Sequence, residues 1–224
     1  MNNLFRLIVL SLFTVMTNPG LQAQQPNNGF AQPNNHGFQT IPHDSIWRAQ
    51  NKEIKGNPFL FEDWETKGIV YSQGNMLEGD RLNYNIYTNE IMTLKEKDSV
   101  FIYDGQDIDS VKINDKRLHK LDGTFYEILQ TGSKASLYKK HETRIARGQF
   151  NPTDGTKQQN RLVIMDDYYV LYQEKLMKFR PSNESLNNTF GDQAQEIKKI
   201  MKAGNLDYKK EDDLIRIFEI FNSL

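Results

Sequence analysis

Apolar and polar residues alternate along the middle of the chain. Leu82, Tyr84 and Ile86 occupy every second position, and the pattern resumes over residues 91–95 after Thr88-Asn89. A period of two is typical of a strand with one buried face, and a short polar turn between two such strands predicts a hairpin.

The same region contains further short apolar segments that we interpret as strands. They are separated by turn residues such as Asp104-Gly105 and Asp122-Gly123, and Asp166-Asp167 is interpreted as another turn. The polar stretch 148–160 predicts a long exposed loop. Strands are expected at 69–71, 99–103, 109–113, 117–121, 124–130, 135–140, 162–165, 168–172 and 176–179. Short, closely spaced strands predict an antiparallel β meander, which could be barrel-like or form a curved sheet.

The apolar period changes after Arg180-Pro181, where helices are expected. Ser182 is a good N-cap for a short helix through Asn188, and Asp192 is expected to cap a second helix that stops at Gly204. A last helix over 209–222 places four apolar residues on one side, namely Leu214, Ile217, Phe218 and Phe221. The fold class predicted is mainly β (α+β), with two to three C-terminal α-helices packed on the sheet.

The first 23 residues have the pattern of a secretory signal. Arg6 precedes about ten apolar residues, Leu7 to Met16, which is half the length of a membrane-spanning helix. Cleavage is expected after Ala23. The alternative, a buried N-terminal helix, is disfavoured because Pro19-Gly20 would end it at once. No later stretch is apolar for 18 residues, so no transmembrane span is predicted in the mature chain.

Four segments are predicted along the chain. Residues 1–23 are the signal, and residues 24–45, in which Gln-Pro-Asn-Asn is nearly repeated, are expected to form a disordered Pro/Asn/Gln/Gly spacer. Residues 46–180 are the β-rich domain, and residues 181–224 are the helical C-terminal appendage.

Charge and composition exclude several classes of partner and cofactor. Lys and Arg number 28 against 29 acidic residues, which gives no global reason to expect nucleic acid or an anionic membrane as a partner, so partners must be sought locally. The chain has no cysteine, so disulfides and thiolate metal sites are excluded. The four histidines lack metal-binding spacing and are interpreted as solvated or edge residues, so neither a metal site nor a cofactor is expected.

One stretch of the chain is locally basic, and it supplies the candidate binding residues. They are Lys134, Lys139, Lys140, Arg144 and Arg147. This stretch is either an ordinary solvated strand face or a site for an anionic partner such as a lipid headgroup or surface polysaccharide. Many tyrosines fall in predicted strands, where they pack the core or line a face that can stack on sugars or a peptide. They include Tyr84, Tyr87, Tyr103, Tyr126, Tyr138, Tyr168, Tyr169 and Tyr172.

The acidic residues give little support for a catalytic site. Asp104 and Asp107 lack the spacing of a calcium loop, and the pair Asp166-Asp167 resembles turn chemistry more than an acid and base pair. No sequence motif supplies a nucleophile. Enzymatic activity is therefore not expected, and catalytic residues are not assigned.

Several segments resemble a known group of proteins. They are Gly56-Asn-Pro-Phe-Leu60, Gly68-Ile-Val-Tyr71, Leu82-Asn-Tyr-Asn-Ile-Tyr-Thr-Asn-Glu90, Glu196-Ile-Lys-Lys199 and Asp212-Asp-Leu-Ile215. The pattern resembles exported, uncharacterised proteins of Bacteroidota-type bacteria and covers most of the chain after the spacer. The resemblance implies export to the envelope and provides no activity or site residues. Asp44-Ser45-Ile46 also resembles the O-glycosylation acceptor pattern of such bacteria, which makes Ser45 a candidate modification site.

These observations favour a non-enzymatic, exported binding or assembly module of the cell envelope. The expected location is the periplasm or cell surface of a Gram-negative bacterium, and the expected partner is an envelope protein, glycan or lipid headgroup. Two alternatives stay open: a periplasmic carrier of a small apolar ligand in a β-barrel, and a hydrolase with scattered carboxylates.

Overall fold

A computed structural model describes residues 41–42, 54–95, 99–150, 152–153 and 155–223. The described chain is mainly β with antiparallel sheets and a helical C-terminal region, which confirms the predicted class. The predicted signal, most of the spacer and the candidate modification site Ser45 lie outside the described residues. Ile41–Pro42, at the end of the predicted spacer, forms a strand, so regular pairing begins before position 46.

The strands and helices follow one another in this order: β1 Ile41–Pro42, β2 Ile54–Lys55, β3 Lys67–Ser72, β4 Asn75–Asp80, β5 Leu82–Asn85, β6 Glu90–Leu94, β7 Ser99–Ile102, β8 Ser110–Ile113, β9 Lys116–Leu121, β10 Thr124–Gln130, β11 Ala135–Ala146, β12 Asn160–Tyr172, β13 Lys175–Phe179, α1 Asn183–Phe190, α2 Ala194–Gly204 and α3 Glu211–Ser223. The smaller sheet has the order β1-β7-β6-β5, and the larger has the order β13-β12-β11-β10-β9-β8-β3-β4. β2 pairs in parallel with the start of β12.

The larger sheet is open: strands β8 to β13 form a meander, and the hairpin of β3 and β4 extends it beside β8. Its path ends at β13 on one side and β4 on the other, and the described strands do not join these two edges. The barrel-like alternative was therefore wrong. The smaller sheet and the helices pack on the larger sheet instead.

β11 and β12 are much longer than predicted. They contain 12 and 13 residues and pair from Ala135–Tyr172 to Ala146–Arg161. The turn predicted at Asp166-Asp167 was wrong, because both residues lie inside β12. Each carboxylate has a basic partner on its own face of the sheet, His141 for Asp166 and Lys178 for Asp167, so the strand continues through them.

Two apolar cores share one face of the larger sheet. At one end, Leu137, Val170 and Phe179 pack against α1, α2 and α3. At the other end, Val111 and Leu118 pack against the smaller sheet. The strand register places these residues on the same face, since Leu118, Glu127, Lys139, Tyr168 and Phe179 are successive cross-strand neighbours. The middle of that row is polar, so a charged strip separates the two cores.

The helical tail follows the predicted faces but not all of the predicted ends. Ser182 caps α1 as expected, because its hydroxyl accepts a hydrogen bond from the Ser185 N–H at 3.0 Å. Asp192 is not the cap of α2; it lies in the 3-10 turn Gly191–Gln193 that connects α1 to α2. The left-handed residue after α2 is Asn205, with φ of 50°, and not Gly204.

The four apolar residues that the sequence pattern predicted on one side of α3 are all buried, namely Leu214, Ile217, Phe218 and Phe221. The helical tail thus consists of α1 and α2, which the 3-10 turn connects directly, and of α3, which follows after a loop. Among the described residues, none of the helices combines the length and the apolar character needed to cross a membrane.

Candidate functional site

Six ionisable side chains and one tyrosine fill the strip between the two apolar cores. We call this set the charge cluster, and its members are Lys116, Glu127, Lys139, His141, Asp166, Tyr168 and Glu211. Strands β9 to β12 contribute the first six, and α3 contributes Glu211. The sheet register brings them together, because Glu127, Lys139 and Tyr168 are cross-strand neighbours and His141 pairs with Asp166.

His141 lies at the centre of the charge cluster. Its Nε2 is 2.7 Å from Glu127 Oε2, and its Nδ1 is 2.6 Å from Asp166 Oδ1. Burial alone lowers the pKa of His141, but the hydrogen bonds and charges of Asp166 and Glu127 outweigh burial and raise the pKa above 6.5. In the imidazolium form, each ring nitrogen donates a hydrogen bond to one of these carboxylates. The sequence interpretation of His141 as a solvated or edge residue was wrong, because it is 7% exposed.

Glu127 connects His141 to a second cation. Lys116 Nζ donates to Glu127 Oε1 at 2.6 Å. Burial raises the pKa of Glu127, but hydrogen bonds from His141 and Lys116, with the charges of Lys116 and Lys139, lower this pKa to about 2. The hydrogen bond with His141 likewise lowers the pKa of Asp166. The carboxylates and the imidazolium thus hold each other in their charged forms.

A second part of the charge cluster attaches α3 to the sheet. Lys139 Nζ lies 2.5 Å from Glu211 Oε2, and the Tyr168 hydroxyl donates to the same oxygen at 2.8 Å. Burial and this carboxylate raise the pKa of Tyr168, so its hydroxyl keeps its proton. Glu211 lies in the first turn of α3, where the helix dipole also favours a negative charge.

The geometry of the charge cluster suits structure better than proton transfer. A histidine that acts as general base needs an unprotonated nitrogen within reach of a substrate. In this chain both nitrogens of His141 contact carboxylates, and Lys139 contacts Glu211. The imidazole and the amine that could take part in catalysis are therefore already bound to carboxylates of the charge cluster.

The pKa shifts predict a stability maximum at mildly acidic pH. His141 has a raised pKa in the folded chain, so its contribution is complete below about pH 6.5 and is lost as the pH rises through the folded pKa. Glu127 acts in the opposite sense: its contribution is present above about pH 4.5 and is lost as the pH falls toward 2. We expect the free energy of unfolding in urea to peak between these limits. His141→Gln should flatten the decline above pH 6.5; parallel curves for the two proteins would contradict the assignment.

The five predicted binding residues are distributed over separate environments. Lys134 Nζ lies 5.3 Å from the centre of the Phe221 ring, and Lys139 is buried in the charge cluster. Lys140 lies on the opposite face of the sheet and pairs with Glu142 at 2.6 Å. Arg144 and Arg147 are exposed near the end of β11. The structure therefore does not bring the five residues together in one site. Binding of an anionic partner stays a prediction, and the two exposed arginines are its best candidates.

The carboxylates considered for hydrolysis lie apart. The Asp104 side chain accepts from the Gln106 N–H, and Asp107 accepts from the Gln73 side chain, in the segment between β7 and β8. Asp166 and Asp167 point to opposite faces of β12. Among the described residues, groups of three or more His, Asp or Glu side chains able to hold a metal ion do not occur.

The tyrosines also have mainly structural contacts. Tyr126, Tyr138 and Tyr169 form edge-on contacts on the face of the larger sheet opposite the charge cluster, with centroids 5.1 to 6.3 Å apart. Tyr126 and Tyr138 are buried in this arrangement. Tyr84 and Tyr172 belong to the two cores. Stacking on sugars or a peptide would need open ring faces, and most of these rings are covered.

The ends of β11 and β12 form a hairpin that extends past the rest of the larger sheet. We call residues 140–150 and 157–167 the arm. β10 pairs with β11 only as far as Lys139, and β13 pairs with β12 only from Tyr168 onward. Within the described chain, the arm strands pair with each other and, at Asn160–Arg161, with β2. Among the described strands, most of both edges of the arm therefore has no pairing partner.

The arm concentrates the exposed apolar side chains. Six large apolar residues are exposed in the described chain, and four of them lie on the arm: Ile145, Phe150, Ile164 and Met165. The other two are Met76 and Tyr87. Sequence reasoning missed Ile164 and Met165 because an apolar run of four residues, Leu162-Val-Ile-Met165, resembles a fully buried strand. The nearby arginines were the signal that this strand leaves the core.

Comparison with known proteins gives no relative for this chain. It matches no family model, no curated protein and no solved structure. The resemblance to exported Bacteroidota-type proteins stays a prediction, and functional inference rests on the charge cluster and the arm.

Proposed function

We propose that this chain is a non-enzymatic binding or assembly module, exported to the envelope of a Gram-negative bacterium, that contacts its partner through the arm. One observation supports the proposal above all: four of the six exposed large apolar side chains lie on a single hairpin. The shifted pKa values of Glu127, His141 and Asp166 belong to groups of the charge cluster that pair with one another.

The exposure on the arm is costly unless a partner covers it. Exposed apolar patches bordered by polar residues mark interaction surfaces, whereas single exposed apolar residues are ordinary. Open strand edges add backbone donors and acceptors that water or a partner must satisfy. The arm combines both features, and Met76 and Tyr87 lie outside it.

The alternatives receive less support. A barrel carrier needs a closed sheet around a ligand, and the larger sheet ends in two separate edge strands. A hydrolase built from scattered carboxylates needs two of them on one cleft, and Asp166 and Asp167 lie on opposite faces while Asp104 and Asp107 bind local donors.

Binding to native envelope material tests the proposal. Envelope fragments prepared without detergent are sedimented with the chain beginning at residue 24, the double variant Ile164→Ser/Met165→Ser, or the control Met76→Ser. We expect wild type and control to sediment alike and the arm variant to bind about tenfold more weakly, because removal of apolar contacts worth about 1.4 kcal/mol changes affinity tenfold. Equal sedimentation of all three folded proteins would contradict the proposal.

A further inference from the structure

Resting on the proposed function, we propose that the partner of the arm is an anionic lipid surface. The inference joins two properties of the same residues: a local excess of positive charge and exposed apolar side chains. A membrane interface satisfies both at once, because headgroup charge lies directly above an acyl region.

The positive charge is local and unpaired among the described residues. The acidic residues of the arm, Glu142, Asp166 and Asp167, pair with Lys140, His141 and Lys178. Between them, positions 143–165 contain four basic residues, Arg144, Arg147, Lys157 and Arg161, against the single acidic Asp154, although the whole chain has a net charge of −1. All four cations are exposed. None of them makes an ion pair with a described residue. They are available to phosphate-bearing headgroups.

The apolar side chains lie between these cations and on both faces of the hairpin. Ile145 pairs with Leu162, which lies two residues before Ile164 on the other strand, so Ile145 and Ile164 share one face. Met165 is adjacent to Ile164 in the strand and therefore points to the other face. Phe150, 63% exposed, pairs through its backbone with Lys157 near the end of the arm. A rigid protein surface would cover one face of a two-stranded ribbon, whereas a fluid interface can surround both.

Other occupants account for only part of this pattern. A polyanionic glycan would bind the cations but leave the apolar residues in water. Basic residues on strand edges also protect against unwanted pairing with other chains, but that role does not require Ile145, Phe150, Ile164 and Met165 to be exposed beside them. A lipid surface uses both sets.

Vesicle sedimentation tests the lipid assignment. The chain beginning at residue 24 is mixed with vesicles of phosphatidylcholine alone or of phosphatidylcholine with phosphatidylglycerol. We expect binding only to the vesicles that contain phosphatidylglycerol, and weaker binding as salt increases. Arg144→Gln/Arg147→Gln should weaken it about 25-fold, since each basic residue near an anionic surface contributes about a fivefold change in affinity.

The matched control for charge is Lys112→Gln/Arg117→Gln. These residues are exposed cross-strand neighbours on β8 and β9, away from the arm, and their replacement should leave vesicle binding unchanged. Ile164→Ser/Met165→Ser should weaken it, since a purely electrostatic site would not need the apolar side chains. Absence of binding at low salt, equal binding to neutral vesicles, or equal effects of the two charge variants would overturn the lipid assignment.

Two further outcomes separate this assignment from the proposed function. Self-association of the chain through the arm without vesicle binding would replace the lipid with a second copy. Arm-dependent binding to envelope fragments without binding to pure lipid vesicles would overturn only the lipid assignment and leave a protein or glycan partner. Loss of arm dependence with envelope fragments would instead overturn the proposed function itself.

Discussion

Replacement of Glu127 by alanine is expected to destabilise the fold by about 3–5 kcal/mol, the usual cost of removing one partner from a buried ionic group. Glu127 contacts the cations of both His141 and Lys116 at hydrogen-bond distance, and it is 6% exposed. Without it, the buried imidazolium keeps only half-exposed Asp166 as a counter-ion. Urea denaturation at pH 6 measures the loss. Such a change is a large part of the net stability of a typical domain.

The matched control is Glu142→Ala, on the same sheet. Glu142 pairs with Lys140 on the exposed side, and such surface pairs contribute about 0–1 kcal/mol. The variant Glu127→Gln separates charge from shape, because the amide keeps the size of the side chain but removes the negative charge, so His141 should lose its proton at lower pH. If Glu127→Ala costs no more than Glu142→Ala, the charge cluster does not stabilise the fold in the way described.

Replacement of Phe190 by alanine is expected to cost about 3–5 kcal/mol as well, for a different reason. Phe190 is the centre of the aromatic core beneath the helices, with ring centroids 5.2 to 6.4 Å from four partners: Tyr172, Phe179, Phe218 and Phe221. Alanine leaves a cavity between α1, α3 and the larger sheet that these rings cannot fill without strain. The free energy of unfolding in urea measures the effect.

Phe150→Ala makes the same chemical change at an exposed position and is the control for Phe190→Ala. Phe150 is 63% exposed on the arm, so its removal should change stability by less than about 0.5 kcal/mol. If both substitutions had similar small effects, the helical tail would not be docked on the larger sheet through Phe190. The two variants also separate the core from the arm, since Phe150→Ala should affect binding and not folding.

Much of the architecture was readable from local sequence signals. Alternation over Leu82, Tyr84 and Ile86 predicted a half-buried strand, and Leu82 and Tyr84 are buried in β5. The exposed polar face predicted for that strand was wrong, because Asn83 and Asn85 are buried as well and the strand ends before Ile86. The helical spacing of Leu214, Ile217, Phe218 and Phe221 predicted the buried side of α3. Ser182 was recognisable as an N-cap because its hydroxyl accepts a hydrogen bond from a backbone N–H only three residues further along the chain. Such signals act within one or two turns of chain, where sequence reasoning is strongest.

The long hairpin could not be predicted in this way, because its partners are distant. Asp166-Asp167 resembles a turn in isolation, and only its pairing with His141 and Lys178 makes it part of a strand. The charge cluster depends in the same way on four strands and a helix, which contribute residues from Lys116 to Glu211. Composition therefore gave no sign that His141 is buried.

The candidate binding site was predicted in part. The basic stretch was visible in sequence, but side chains alternate across a strand, so Lys139 and Lys140 lie on opposite faces. The arm exists because β10 stops pairing at Lys139 and β13 starts pairing at Tyr168. Those limits are set by the three-dimensional register. Arg144 and Arg147 are the predicted binding residues that the arm exposes.

Amide hydrogen exchange in the presence of envelope membranes tests the central claim most directly. The chain beginning at residue 24 is compared with and without membranes from the native host. The account predicts slower exchange at the outward-facing amides of residues 140–150 and 157–167, which the β11–β12 pairing does not use, and unchanged exchange in β3, β4 and the helices. Protection confined to other surfaces, or an unchanged arm on a chain that binds the membranes, would contradict it.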